Sequence, residues 1–491
     1  MLVWEENRFV TNGVQPLESA AFAHAQRSSS SSAIFNSSRY PVHNDSHADP
    51  VLVQDAVDMV TRDRNHPSII IWSLCNELGC LRLDASGGTV AMEFKLALYA
   101  VDTSRPITGN TVQPEPFLQG ALVDNFALAM DVQSFSYDYG SYERYHRTTP
   151  WKPTGGGESG SCQSDRDYYG PTNTTSGHLS MFTSGSPSSL SEASATGVFA
   201  CTARSWAAAA SRPWIYGSYL WTGYDYRGET MLGWPDVSSH FGSFDIAGFA
   251  KDRVGYYHAW WDDWRDESGA CGGGQGAGAV SLSLSPSRDW TAPVPEGTAI
   301  PVTVTTCAAF VELYLNGILQ GSGRRAMPQF GYLNWTTTFT RGNLTAVALD
   351  HTGATLAVRT LLSAGAPTAL RLTIDSPYNW KRNGSVIAAD GMDAALLRAE
   401  IIDADGVLVP NADANVSIAI AGPAHVKGVS NGDPAYHGPE VGTVHMTIKT
   451  FHGLARVIIS SNALGATGEI RVTATASGLV SGEVRLVATT E

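Results

Sequence analysis

Residues 64–77 read Arg64-Asn65-His66-Pro67-Ser68-Ile69-Ile70-Ile71-Trp72-Ser73-Leu74-Cys75-Asn76-Glu77. The apolar, β-branched run Ile69-Ile70-Ile71-Trp72 leads within a few residues to the polar pair Asn76-Glu77. Such a run reads as a parallel strand buried on both faces. A (β/α)8 barrel places its chemistry at the C-terminal tips of its strands. A carboxyl group held there against Trp72 and other apolar neighbours has its ionised form disfavoured, so the pKa of Glu77 is expected to rise. A raised pKa is what a general acid needs to keep its proton near neutral pH. The competing reading is an ordinary strand followed by a polar turn. The preceding Arg-Asn-His-Pro and the helical segment 55–64 favour the catalytic one.

This run resembles the acid/base signature of glycoside hydrolase family two, the family of β-galactosidases, β-glucuronidases and β-mannosidases. The resemblance implies that Glu77 is the proton donor and that Asn76 binds the sugar 2-hydroxyl. A glycosidase needs a second carboxylate facing the first, and the family carries it at the end of barrel strand seven. Lys152-Pro153-Thr154-Gly155-Gly156-Gly157-Glu158-Ser159-Gly160-Ser161 resembles that segment, with Glu158 as nucleophile. Glycines there let the backbone approach a sugar closely. The alternative is a Gly-rich surface loop with one charged residue. Order and spacing relative to Glu77 support the site reading.

Ser134-Phe135-Ser136-Tyr137 sits where the family's strand six carries a tyrosine that hydrogen-bonds the nucleophile, so Tyr137 is a candidate helper; the family often has Asn where Ser136 stands. A lone Tyr is otherwise a core or interface residue. The stretch 219–229, Tyr-Leu-Trp-Thr-Gly-Tyr-Asp-Tyr-Arg-Gly-Glu, resembles strand eight and its loop. Trp221 would floor the sugar subsite, because apolar sugar faces stack on aromatic rings; core packing is its other reading. Residues 239–253 resemble the stretch that closes the barrel in this family. Asp245 and Lys251 within it either line the pocket or form a structural ion pair.

The formal net charge of -14 argues against nucleic acid and anionic membrane surfaces as partners. No apolar run of about 18 residues is present to span a bilayer. Apolar content of 43% and charged content of 16% describe a well-cored globular chain. Thirteen Trp and eighteen Tyr suit carbohydrate binding, and equally any large β-rich protein. The six cysteines, Cys75, Cys80, Cys162, Cys201, Cys271 and Cys307, show no zinc spacing. Cys75 reads as a small buried hydrophobe, and disulfide pairings are not assignable. No metal site is read, and a divalent or monovalent cation and oligomerisation are left open. Sequons at Asn36, Asn44, Asn173, Asn334, Asn343, Asn383 and Asn415 are compatible with secretion but common by chance; the compartment is otherwise unknown.

Leu2-Val3-Trp4-Glu5-Glu6-Asn7-Arg8-Phe9 resembles barrel strand three and its loop. Neither a signal peptide, nor strands one and two, nor the family's preceding β-sandwich domains are read before it. A barrel lacking two strands has open edges. A truncated chain is the favoured account, over completion by another chain or decay to a non-catalytic remnant. The stretch 20–39, with five serines at 28–32, reads as a disordered loop or mistranslated sequence. Beyond it His43 is either a sugar ligand or a loop histidine. The Ser/Thr-rich stretch 172–196 reads as a surface excursion.

The expected architecture is multidomain, α/β plus all-β: a (β/α)8 TIM barrel, incomplete at its N-terminus, over 1–268, then a Gly-rich linker at 269–278. A β-sandwich module at 279–366 and a C-terminal immunoglobulin-like β-sandwich at 367–491 follow. Period-two alternation in Val280-Ser281-Leu282-Ser283-Leu284 and the hairpin signal Asn316-Gly317 mark the change. The segment 311–321 resembles a module of bacterial-type β-galactosidases. The resemblance thus implies a retaining exo-glycosidase with a carbohydrate substrate, most like a β-galactosidase. The alternatives are a β-glucuronidase or other family-two glycosidase, and an inactive remnant acting as a carbohydrate-binding or structural protein. No Asn-x-Lys motif for a sugar carboxylate is seen near the site.

Overall fold

The computed structural model describes residues 3–6, 47–48, 50–76, 85–111, 126–169, 173, 175–178, 197–230, 232–262, 280–375, 384–441 and 445–490. Glu77 and His43 lie outside these, as do the serine run at 28–32 and the linker at 269–278. The chain divides into two compact units, one of 1–161, 186–194 and 204–221, the other holding the remainder. None of the described helices is long and apolar enough to cross a membrane.

The first unit is built on six parallel strands in sequence order: β1 (Val3–Glu6), β2 (Ile69–Asn76), β3 (Ile107–Thr111), β4 (Gln133–Ser136), β5 (Thr154–Ser159) and β6 (Ile215–Leu220). Helices α1 (Pro50–Asp63), α2 (Ala85–Tyr99), α3 (Phe126–Ala129) and α4 (Ser141–Thr148) fall between successive strands, and α5 (Val198–Ala210) precedes β6. A parallel sheet wound in a single direction, each strand followed by a helix, is the winding of a (β/α)8 barrel. Here it holds six strands among the described residues. The (β/α)8 winding read from the sequence therefore matches the observed fold.

The packing of β2 explains its opening signature. Trp72 is fully buried with Ala56, Met59, Val60, Phe94 and Leu98, on the helical side of the sheet. Its indole Nε1 donates to Asp102 Oδ2 at 3.0 Å. Arg105 lies over the same ring at 5.3 Å and bonds Asp102 at 2.7 Å. The Arg105 guanidinium also caps the carbonyls of Arg64, His66 and Ile69. The Arg-Asn-His-Pro turn is thus scaffolding at the N-terminal end of β2. Side chains alternate across a strand, and this indole is spent on the helices; the expected contact between Trp72 and Glu77 lies outside the described residues.

The second unit carries two β-sandwiches, antiparallel but for the pairing of Val386–Ala388 with Gly482–Thr489. The first pairs a three-stranded sheet, Leu282–Ser285, Ala299–Thr306 and Leu333–Thr338, with a sheet built on Phe310–Leu315, Asn343–Leu349 and Thr355–Leu362. Burial in Leu333–Thr338 alternates strictly, as a strand with one wet face requires. Asn316 and Gly317 both take positive φ, 52° and 78°, in the tight turn leading to Ile318–Leu319. That turn type matches the right-handed twist of its strands. The second sandwich stacks a four-stranded and a five-stranded sheet around a core including Leu397, Ile401, Val457, Ile459, Ile470 and Val472.

A buried ionic network runs through this unit. Arg166, fully buried, pairs with Asp245 at 2.6 Å and Asp167 at 3.1 Å, and donates to the carbonyls of Asn431 and Phe451. Lys251 pairs with Asp225 at 2.7 Å and donates to the carbonyls of Ser164 and His240. Of the two readings of Asp245 and Lys251, the structural one therefore holds, with each bound to a different partner. His240 lies between Asp165 and Asp236. Cys162 and Cys201 form a disulfide. Cys75 in the first unit and Cys307 in this one are each disulfide-bonded as well, so the small buried residue read at position 75 is half of a cystine.

Candidate active site

The site forms where the C-terminal ends of β2, β3, β4 and β5 come together. Glu158, half-buried, is the penultimate residue of β5. Its Oε2 accepts the Tyr137 phenol at 2.5 Å and its Oε1 accepts Asn110 Nδ2 at 3.4 Å. The same amide group donates to Asn76 Oδ1 at 3.0 Å. Asn110 thus connects the tip of β2 to the carboxylate at the tip of β5. Charged acceptors strengthen such bonds, and donors aimed at both oxygens favour the ionised carboxyl.

Local backbone explains how Tyr137 reaches Glu158. It follows β4 in the left-handed region, with φ 58°, which is unfavourable for an aromatic residue. Its amide donates to the Glu158 carbonyl at 2.9 Å, fixing the two residues at main chain and side chain together. Strain of this kind persists only where surrounding contacts over-determine it.

The run Gly155-Gly156 gave little strand signal, and packing shows why glycine stands there. A Cβ on Gly155 would lie 2.6 Å from the Tyr216 ring, and one on Gly156 would lie 2.6 Å from the Tyr142 hydroxyl. The strand is forced close to β6 and α4 by large aromatic neighbours, so apolar side chains are excluded. A polar layer lies among the strands: Thr108 Oγ1 meets Ser134 Oγ at 2.8 Å, Ser134 also meets the Tyr216 hydroxyl, and Gln133 Nε2 donates to Thr111 Oγ1 at 3.0 Å.

Of the site residues read from the sequence, Asn76, Tyr137 and Glu158 are brought together. Trp221 is half-buried just beyond β6, its amide donating to the Ser159 carbonyl at 2.9 Å, one residue from Glu158. Glu77 follows directly on Asn76 in the sequence. Sequence reasoning missed Asn110, 1% exposed at the end of β3, and Glu6 at the end of β1, whose carboxylate accepts Ser73 Oγ at 2.7 Å. The available signal was positional: Asn110 is the penultimate residue of one short strand and Glu6 the last of another. Among the described residues, no cluster of His, Cys, Asp or Glu is arranged to hold a metal ion.

Comparison with known proteins supplies the class. A profile for the glycosyl hydrolases family 2 TIM barrel domain matches residues 2–157, and one for the glycoside hydrolase family 2 C-terminal domain 5 matches 380–485. A domain of unknown function, DUF4982, matches 297–357. The chain is 28% identical over 475 residues to "Beta-galactosidase BoGH2A" of Bacteroides ovatus, covering 87% of this chain and 50% of that protein. It is 27% identical over 405 residues to a "Putative beta-glucuronidase" of Formosa agariphila, covering 77% of this chain and 35% of that protein. The fold superposes on a glycosyl hydrolase family 2 member from Bacteroides cellulosilyticus with TM-score 0.72 at 22% identity, covering 100% of this chain and 55% of that one. A β-glycosidase from Bacteroides vulgatus gives 0.65 at 23%, covering 89% and 52%. The chain therefore spans about half the length of the first of these relatives. It belongs to glycoside hydrolase family 2.

Proposed function

We propose that this chain carries the catalytic carboxylates of a retaining exo-glycosidase that removes terminal β-linked galactose. The observation that carries the reading is the Glu158 carboxylate, held by Tyr137 and Asn110 at the tip of β5. Across the same set of strand ends, β2 finishes at Asn76, and Glu77 is the next residue. In the first step Glu158 attacks the anomeric carbon. The bond from that carbon to the leaving oxygen breaks, and Glu77 gives its proton to that oxygen. In the second step Glu77 takes a proton from water, whose oxygen displaces Glu158 and restores the carboxylate. Retention requires the two carboxyl groups to stand about 5–5.5 Å apart.

Asn76 is assigned the sugar 2-hydroxyl and Trp221 the apolar sugar face. Tyr137 serves Glu158 twice: its hydrogen bond lowers the proton affinity of the carboxylate before attack and stabilises it as leaving group afterwards. Galactose is favoured by the resemblance of 311–321 to a β-galactosidase module and by the named β-galactosidase relative. The named β-glucuronidase relative supports the second reading, a uronic acid at the same subsite. A panel of nitrophenyl glycosides decides between them. Galactoside turnover that disappears in Glu158→Gln, with an unchanged melting temperature, is the expected result. Glucuronide turnover without galactoside turnover would replace the sugar assignment, and full activity of Glu158→Gln would remove the mechanism.

A further inference from the structure

Neighbouring residues on a strand point to opposite sides. Trp72 packs with the helices, so Ser73 beside it points to the inner side of the sheet, where it is fully buried. Glu6, the last residue of β1, pairs in register with Ser73, and its Oε2 accepts the Ser73 hydroxyl at 2.7 Å. The Glu6 carboxyl is therefore drawn to the same inner side. Three strands separate β1 from β5. In a ring of eight, strands so separated stand opposite one another, which sets Glu6 across the mouth from Glu158.

We propose that Glu6 is a third carboxyl of the sugar subsite, contacting a hydroxyl of the bound sugar from the wall facing Glu158. This rests on the glycosidase reading given above. A carboxyl open to solvent on one side, oriented by a neutral hydroxyl and placed towards a second carboxylate, is arranged for a polar ligand rather than for packing. The electrostatics agree. Surrounding protein raises the Glu6 pKa to about 7, Ser73 opposes the rise, and the Glu158 charge adds to it. Below that pH Glu6 presents a proton to a sugar hydroxyl; above it, it accepts one.

The test compares the full chain with Glu6→Gln, which keeps the shape, and Glu6→Ala, which removes it. Galactose binding by calorimetry, KM and kcat on nitrophenyl β-galactoside, and the pH profile of kcat/KM are read together. Loss of a hydrogen bond to a charged group predicts galactose affinity weaker by about tenfold or more in Glu6→Ala, with KM rising more than kcat falls. The ionisation near pH 7 should vanish from both profiles. Unchanged affinity and superimposable profiles in Glu6→Gln, with turnover still abolished in Glu158→Gln, would overturn this assignment alone. A wild-type chain that neither binds galactose nor cleaves any glycoside of the panel would overturn it together with the reading beneath it.

Discussion

Tyr137 and Glu158 grip each other twice, phenol to carboxylate at 2.5 Å and amide to carbonyl at 2.9 Å. The second contact leaves the backbone in place when the first is removed. Tyr137→Phe should therefore fold normally yet lose about 1.5–3 kcal/mol of stabilisation on the carboxylate, which is roughly 10- to 100-fold in kcat/KM. Steady-state kinetics beside a thermal melt check this; a melt that falls in step with activity would assign Tyr137 a packing role instead.

Asn110 bridges Asn76 and Glu158 through a single amide. Asn110→Asp removes the donor and sets a second negative charge beside Glu158. Like charges disfavour ionisation, so the acidic limb of kcat/KM should move to higher pH, and further than in Asn110→Ala, which loses only the donor. Matching acidic limbs in the two variants would argue against the contact.

How much of this was readable beforehand follows from distance along the chain. The apolar run at 69–72 and the Asn316-Gly317 pair are local signals, and both elements formed where they were read. Asn110 was not legible, because its importance lies in residues 34 and 48 positions away. The face chosen by Trp72 depended on Asp102 and Arg105, which no periodicity connects to it. Gly155 and Gly156 resembled a loop because their packing partners, Tyr216 and Tyr142, lie on other elements. Arg166 finds its carbonyl partners 265 and 285 residues downstream.

Those glycines give a sharp stability prediction. With Tyr216 ring atoms 2.6 Å from a new Cβ, Gly155→Ala must push a ring or a strand aside. Overpacking of this kind costs about 1–3 kcal/mol, visible as a lower denaturant midpoint. An unchanged midpoint would mean that Tyr216 can swing clear.

His240 is fully buried between Asp165 and Asp236, and those carboxylates outweigh its desolvation, raising its pKa from 6.5 to about 10. A folded-state pKa above the unfolded one stabilises fully below about 6.5, and the contribution fades as pH climbs through about 10. The melting temperature of the wild type should therefore decline across that window. His240→Gln leaves two buried carboxylates without their cation, costs about 3–5 kcal/mol, and should flatten the decline. Parallel curves for the two proteins would contradict the assignment.

The central claim is that Glu158 bonds covalently to a sugar whose glycosidic oxygen Glu77 protonates. Incubation with a fluorinated galactosyl fluoride, followed by peptide mass spectrometry, addresses it directly, because the fluorine slows release of the glycosyl-enzyme. The prediction is one sugar attached to the peptide containing Glu158, and none in Glu158→Gln. A label on another carboxylate, or a sugar attached to Glu158→Gln by the same reagent, would contradict it.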